Sequence, residues 1–217
     1  VPAHGFQPVG GQPPFQYFSD MVSKSINAAA ELRTAVQDYE RSDNVGALFD
    51  RVRAVAAVVS PAQLKDACTA FQHLPEVIIP AYERIVAQVP DDAQALVVLA
   101  NAYWLTGRGP DLVGDLASRA IAADPTNRGA WHFWALAESN IRERVSRWQQ
   151  VAQRFPDDQL ARAAMADNAT SLASAEHDPL ALDLAIRTYE QLLSESTQSA
   201  QRVALESTLK TLREWKL

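Results

Sequence analysis

Apolar residues recur three and four positions apart along most of this chain, the spacing that places side chains on one face of an α-helix. Phe18, Val22, Ile26, Ala29 and Val36 keep that spacing and predict one long helix from about Phe15 to Arg41. Val45, Leu48, Phe49, Val52, Val55, Ala56 and Val59 draw a second apolar face, with Asp43 or Asn44 placed to cap its first turn. Together they predict an N-terminal hairpin over residues 15–59. Ser60-Pro61-Ala62-Gln63 starts a further helix: a serine to cap it, a proline at its first position and a glutamine spaced to reach back.

From Ser60 onward the pattern repeats. Leu64, Ala67, Cys68 and Phe71 are answered by Leu96, Leu99, Ala100 and Tyr103, then by Trp131, Trp134, Ala135 and Glu138, and more weakly by Arg162, Met165, Ala166 and Ala169. The third member, Cys68, Ala100, Ala135 or Ala166, is small every time, which marks where two helix backbones approach closely. A second set alternates with the first: Ile78, Tyr82 and Ile85; Val113, Ala117 and Ala120; Arg144, Trp148 and Val151; Ala185, Tyr189 and Leu192. Proline-led corners at Pro90-Asp91-Asp92, Pro125-Thr126-Asn127 and Pro156-Asp157-Asp158 stand 35 and 31 residues apart, a period that means stacked helical hairpins. Ala169 and Ala185 lie too far apart for a standard hairpin, so an extended or interrupted loop is expected near His177-Asp178-Pro179. The last helix, from about Ser199 to Trp215, is read with Val203, Leu205, Leu209 and Leu212 on its packed side.

This arrangement resembles the tetratricopeptide repeat (TPR) family. Residues Ala93 to Pro125 carry Leu96, Leu99, Ala100, Tyr103, Gly107, Ala120 and Pro125 in the family's order, with Ala117 in place of the expected aromatic. The resemblance covers Ser60 to about Leu193 and implies an all-α fold, a right-handed superhelical solenoid of antiparallel helix pairs acting as a protein-interaction scaffold. The expected organisation is a tail or linker over 1–14, the hairpin over 15–59, four TPR-like repeats over 60–193 and a capping helix over 194–217. Arg144 and Arg162 depart from the pattern by standing where packing residues are expected.

Composition narrows the function. With 47% apolar residues in 217, the chain has enough to bury a substantial core. A formal charge of -6 argues against a grip on phosphate backbones, so nucleic acid is not an expected partner. The longest apolar run, Ala95 to Leu105, is interrupted by Asn101 and falls short of a bilayer span. The opening at Val1 leaves a removed signal peptide, a removed anchor and a truncation as alternatives; a bacterial protein, exported or membrane-tethered, is the expectation.

Candidate chemistry adds little. The four histidines stand far apart and no metal-ligand spacing occurs, so neither metal nor cofactor is expected. Asp91-Asp92 and Asp157-Asp158 follow prolines at helix starts, where carboxylates cap free amides. Cys68 belongs to the crossing set and reads as an inert buried thiol. With no converging nucleophile, base and oxyanion donors, no catalytic residue is assigned and the expected role is non-catalytic.

In stacked hairpins the first helices line a concave groove. Their free stripes are unusually apolar at the centre, and the candidate partner-binding residues are Val97, Asn101, Trp104, Leu105, His132, Phe133, Leu136, Asn140 and Asp167, with Trp104 and Phe133 as anchors. A carboxylate clamp would need a ring of lysines and asparagines, and only Lys65 and Asn101 are suitably placed. Two alternatives accompany this reading. The run Trp131-His132-Phe133-Trp134, with Trp148 and Pro156-Asp157-Asp158, looks like the periplasmic repeat modules of cytochrome c maturation, which would make the chain an assembly factor. The other fills the groove with the chain's own N-terminal segment, which carries Phe15, Tyr17, Phe18, Met21 and Val22.

Overall fold

Side-chain oxygens at the helix starts set most of the boundaries. The computed structural model describes residues 27–215, and among these it contains eleven α-helices and no strand. Asn27 accepts a hydrogen bond from the Ala30 amide and opens α1 (Ala28–Ser42); Asn44 does the same for α2 (Val45–Val58) through Ala47. Ser60 and Gln63 form the reciprocal capping box that starts α3 (Pro61–Cys68), which ends in a 3-10 turn, Thr69–Phe71. There follow α4 (Pro75–Gln88), α5 (Ala93–Leu105), α6 (Pro110–Ala123), α7 (Arg128–Leu136) and α8 (Ile141–Arg154). The chain then builds α9 (Gln159–Glu176), α10 (Pro179–Glu195) and α11 (Ser199–Arg213). The aspartates of two proline corners are caps: Asp92 accepts from the Ala95 amide and Asp158 from the Ala161 amide, each at 3.0 Å. Amides that would otherwise be unpaired at a helix start are satisfied this way.

Consecutive helices pack into hairpins, and the hairpins stack into an all-α solenoid. Cys68, Ala100, Ala135 and Ala166 are completely buried, as a close crossing of backbones requires. Ile78, Tyr82, Ile85, Val113, Ala117, Ala120, Trp148, Val151, Ala185, Tyr189 and Leu192 are also buried, so both repeating registers correspond to the packed faces. Burying Trp148 or Tyr189 contributes on the order of 2 kcal/mol each.

The apolar core is continuous from Ala28 to Ala137 and then breaks into a small cluster around Trp148 and a last cluster reaching Leu212. Arginines occupy the seams. Arg144 donates to Asn168 Oδ1 (2.7 Å) and to the Glu138 carbonyl (3.0 Å), and buried Arg162 forks onto both carboxylate oxygens of Glu195 (2.7 and 2.5 Å). Arg147 lies 4.6 Å over the Trp134 ring and donates to the Trp134 carbonyl. The two arginines at packing positions are therefore polar inserts, hydrogen-bonded across the stack.

Two details differ from the sequence reading. No extended loop occurs near His177: α9 simply runs on for 18 residues, and His177, in the left-handed region at φ 53°, turns directly into the Asp178 cap of α10. Val203 is 65% exposed while Leu209 and Leu212 are buried, because Val203 lies two residues before Leu205, on the opposite side of α11. The described part of the predicted first helix begins at Ala28, behind the Asn27 cap; its portion from Phe15 to Ile26, like the tail over 1–14, lies outside the described residues.

Candidate functional site

α5 is apolar on nearly every side, so its neighbours cannot cover all of it. Ala95, Leu96, Leu99, Ala100 and Ala102 are buried by the adjoining helices. Val97 and Val98 are half-buried, while Asn101, Trp104 and Leu105 are exposed, the last two by 41% and 66%. The uncovered stripe forms the floor of a groove of about 250 Å³. Pro75 and Ile78 of α4 wall one side and Phe133 of α7 the other; Gln72, Gln94 and Asn101 supply carboxamides. A Cβ on Gly129 of α7 would sit 3.1 Å from Val97 Cγ1, so the glycine allows α7 to close against α5 and bring Phe133 to the groove.

Four of the nine candidate residues, Val97, Asn101, Leu105 and Phe133, meet at this groove. Trp104 shares the Val97–Asn101 stripe one turn further on, exposed and off the groove's wall. The rest lie elsewhere. His132 Nε2 is 2.7 Å from Asp158 Oδ2, and its ring packs edge-on against Trp148 at 5.4 Å. Leu136 packs into the Trp148 cluster, Asn140 caps α8 through the Arg142 and Glu143 amides, and Asp167 accepts from the Tyr189 hydroxyl. The aromatic run at Trp131 is likewise divided: Trp131 Nε1 donates to the Pro125 carbonyl and its ring meets Trp134 edge-on, leaving Phe133 to face the groove.

Pro75 and Ile78 are groove residues that the stripe of first helices does not contain. Ile78 belongs to a packed second-helix set, yet the start of its helix, just after the 3-10 turn that ends α3, lines the groove. The proline at position one of α4 was the available signal for such an abrupt start.

No ionisable side chain lines the groove. Lys65 is paired with Asp92, which removes it from any carboxylate clamp. Burial opposes the charge on Asp92, yet bonds from Lys65 and the Ala95 amide hold its carboxyl below the usual range. Asp158 follows the same balance, with burial opposed by the Ala161 amide and the His132 ring, and its carboxyl is also held low. Burial pushes the Cys68 thiol up to about 12. Among the described residues no cluster of three potential metal ligands forms, and no helix is long and apolar enough to cross a membrane. What the groove offers is shape, apolar surface and amide hydrogen bonding.

Stacked hairpins with a small residue at each crossing define a helical repeat protein. The repeat is TPR-like, as comparison with solved structures shows. A thermophilic TPR protein of Thermus thermophilus superposes with a TM-score of 0.53, covering 84% of this chain and 98% of its own, at 19% identity. The crystal structure of MamA protein gives 0.54, covering 79% and 97%, at 12% identity. The sequence itself matches no family model and no curated protein.

Proposed function

We propose that this chain is a non-catalytic protein-interaction scaffold whose groove between α4, α5 and α7 takes an apolar peptide, or the apolar face of an amphipathic helix, from a partner protein. One observation carries the reading: an uncharged, largely apolar concavity is left uncovered by the described residues, while Lys65, His132 and Asp167 of the first helices are engaged with other side chains. Asn101 makes no side-chain hydrogen bond to the described residues, so its amide is free to bond a bound segment's backbone. Val97, Val98, Leu105 and Phe133 supply the apolar contact, and exposed Trp104 extends it.

The test is capture of partners from native lysate, followed by affinity measurement on a captured protein with Val97→Asp and Trp104→Ala variants. Both side chains lie outside the fully buried set, so the fold is expected to persist. Binding should weaken about tenfold or more for each, the effect of losing an interface anchor. Unchanged affinity in both variants, with melting temperatures intact, would refute the groove assignment.

A further inference from the structure

We propose that residues Phe15–Val22 of this same chain occupy the α4–α5–α7 groove intramolecularly and regulate it by competing with the partner. The inference rests on the reading of the groove as a binding surface. Four observations support it.

First, α1 begins at its own cap. Asn27 has ψ 89°, outside the helical range, and its side chain closes the first turn onto Ala30. Second, the path is short. α1 packs on α3, and α3 leads through the Thr69–Phe71 turn to Gln72 on the rim of the groove. Crossing from α1 past α3 to α5 covers about 20 Å at ordinary helix spacings. A stretch the length of Phe18 to Asn27 reaches up to about 30 Å when extended.

Third, the chemistry matches. Phe15, Tyr17, Phe18, Met21 and Val22 are five large apolar residues within eight positions, and Asp20 is the segment's only charge. Phe18, Met21 and Val22 stand at the spacing of one helical face, and Phe15 joins it a turn earlier. The groove presents an apolar floor, no charge, and three carboxamides suited to backbone groups. Fourth, the tether supplies a concentration advantage. A short covalent connection holds its end near the groove at an effective concentration of about 1 mM, so a segment of modest intrinsic affinity fills the site most of the time. A partner then has to exceed that competition.

The experiment uses the 217-residue chain: wild type, Phe15→Asp/Phe18→Asp, and the same double variant carrying Val97→Asp. The probe is a synthetic fluorescent peptide of residues 13–24, followed by anisotropy. The double variant should bind the peptide, wild type should bind it at least tenfold more weakly, and Val97→Asp should abolish binding. Equal affinity of wild type and double variant overturns the proposal, as does failure of the peptide to bind either. A second measurement fixes the topology. Phe18→Cys paired with Asn101→Cys should oxidise at low protein concentration to a disulfide within one chain, read by mass, while buried Cys68 stays out of the exchange. A disulfide-linked dimer instead would overturn intramolecular docking in favour of a second copy. Peptide binding lost while partner affinity still responds to Val97→Asp sinks this proposal and leaves the groove assignment standing. A partner indifferent to Val97→Asp sinks the groove assignment first.

Discussion

His132 Nε2 and Asp158 Oδ2 lie 2.7 Å apart, and Lys65 pairs with Asp92 at the matching position two hairpins earlier. In both cases the residue after the first packing position of one hairpin reaches the aspartate that caps the first helix of a later one. Between α5 and α7 the equivalent residue is Val97, which meets Gly129 and makes no polar clasp. The groove opens at that apolar joint. Where a polar partner is present, first helices are tied through a side-chain pair; where it is absent, an apolar surface is left uncovered by the described residues.

Asp158 should matter twice, as cap and as partner of His132. Asp158→Ala should cost about 1–2 kcal/mol at neutral pH. The folded carboxyl titrates below its unfolded value near 3.9, so its stabilisation is complete above about pH 4 and is lost as pH falls through the lowered folded value. Thermal melts of wild type and Asp158→Asn between pH 7 and pH 2 check this. The gap between the two curves should close in acid; a gap independent of pH would contradict the assignment.

Ala100 is completely buried at the α5 crossing. Ala100→Leu should force the helices apart and cost roughly 1–3 kcal/mol, while Ala122→Leu, on the exposed side of α6, should change stability by less than about 0.5 kcal/mol. Urea denaturation of the two variants measures the contrast. Equal midpoints would mean that the crossing is not tight.

Cys68 should report global unfolding. Its thiol is pushed up to about 12 by burial, against roughly 8.5 for a free cysteine, so at pH 8 the native chain holds almost no thiolate. Reaction with a chromogenic disulfide reagent should be negligible in buffer and stoichiometric in urea beyond the unfolding midpoint. Rapid stoichiometric labelling of the native protein would show that the α3 crossing opens on its own.

Arg162 and Glu195 form a fork across α9 and α10, with the Arg162 Nε buried and unpartnered among the described residues. Glu195→Ala strands that guanidinium and should lower the melting temperature. Arg162→Met removes the buried charge together with its desolvation cost and should be neutral or stabilising. The reverse order in calorimetry would show that the ion pair, not the packing of the long side chain, holds this joint.

Much of the architecture was legible in the residues, and particular positions show why. Asn44, Ser60, Asp92 and Asp158 announce helix starts because capping is a contact over three residues, settled within one turn. The sets containing Cys68, Ala100, Ala135 and Ala166 show the crossings because packing against a neighbouring backbone excludes a larger side chain. Helical periodicity likewise points to Val97, Asn101 and Leu105 as the uncovered side of α5. Apolar character alone places Val203 on the packed face, although its spacing from Leu205 sets it on the opposite side, and periodicity does not tell a longer α9 from a loop before Pro179.

Local spacing and composition by themselves determined the all-α repeat, its capped boundaries, the residues at each crossing and the apolar excess on α5, since these depend on contacts within a turn or on side-chain size. Only the tertiary structure decided which groove residues meet. It turned His132 and Asp167 inward to Asp158 and Tyr189 and brought Pro75 and Ile78 to the groove. It also closed Phe133 toward Val97 over Gly129. Those outcomes depend on distances between helices that lie far apart along the chain, and no periodicity within a single helix encodes them.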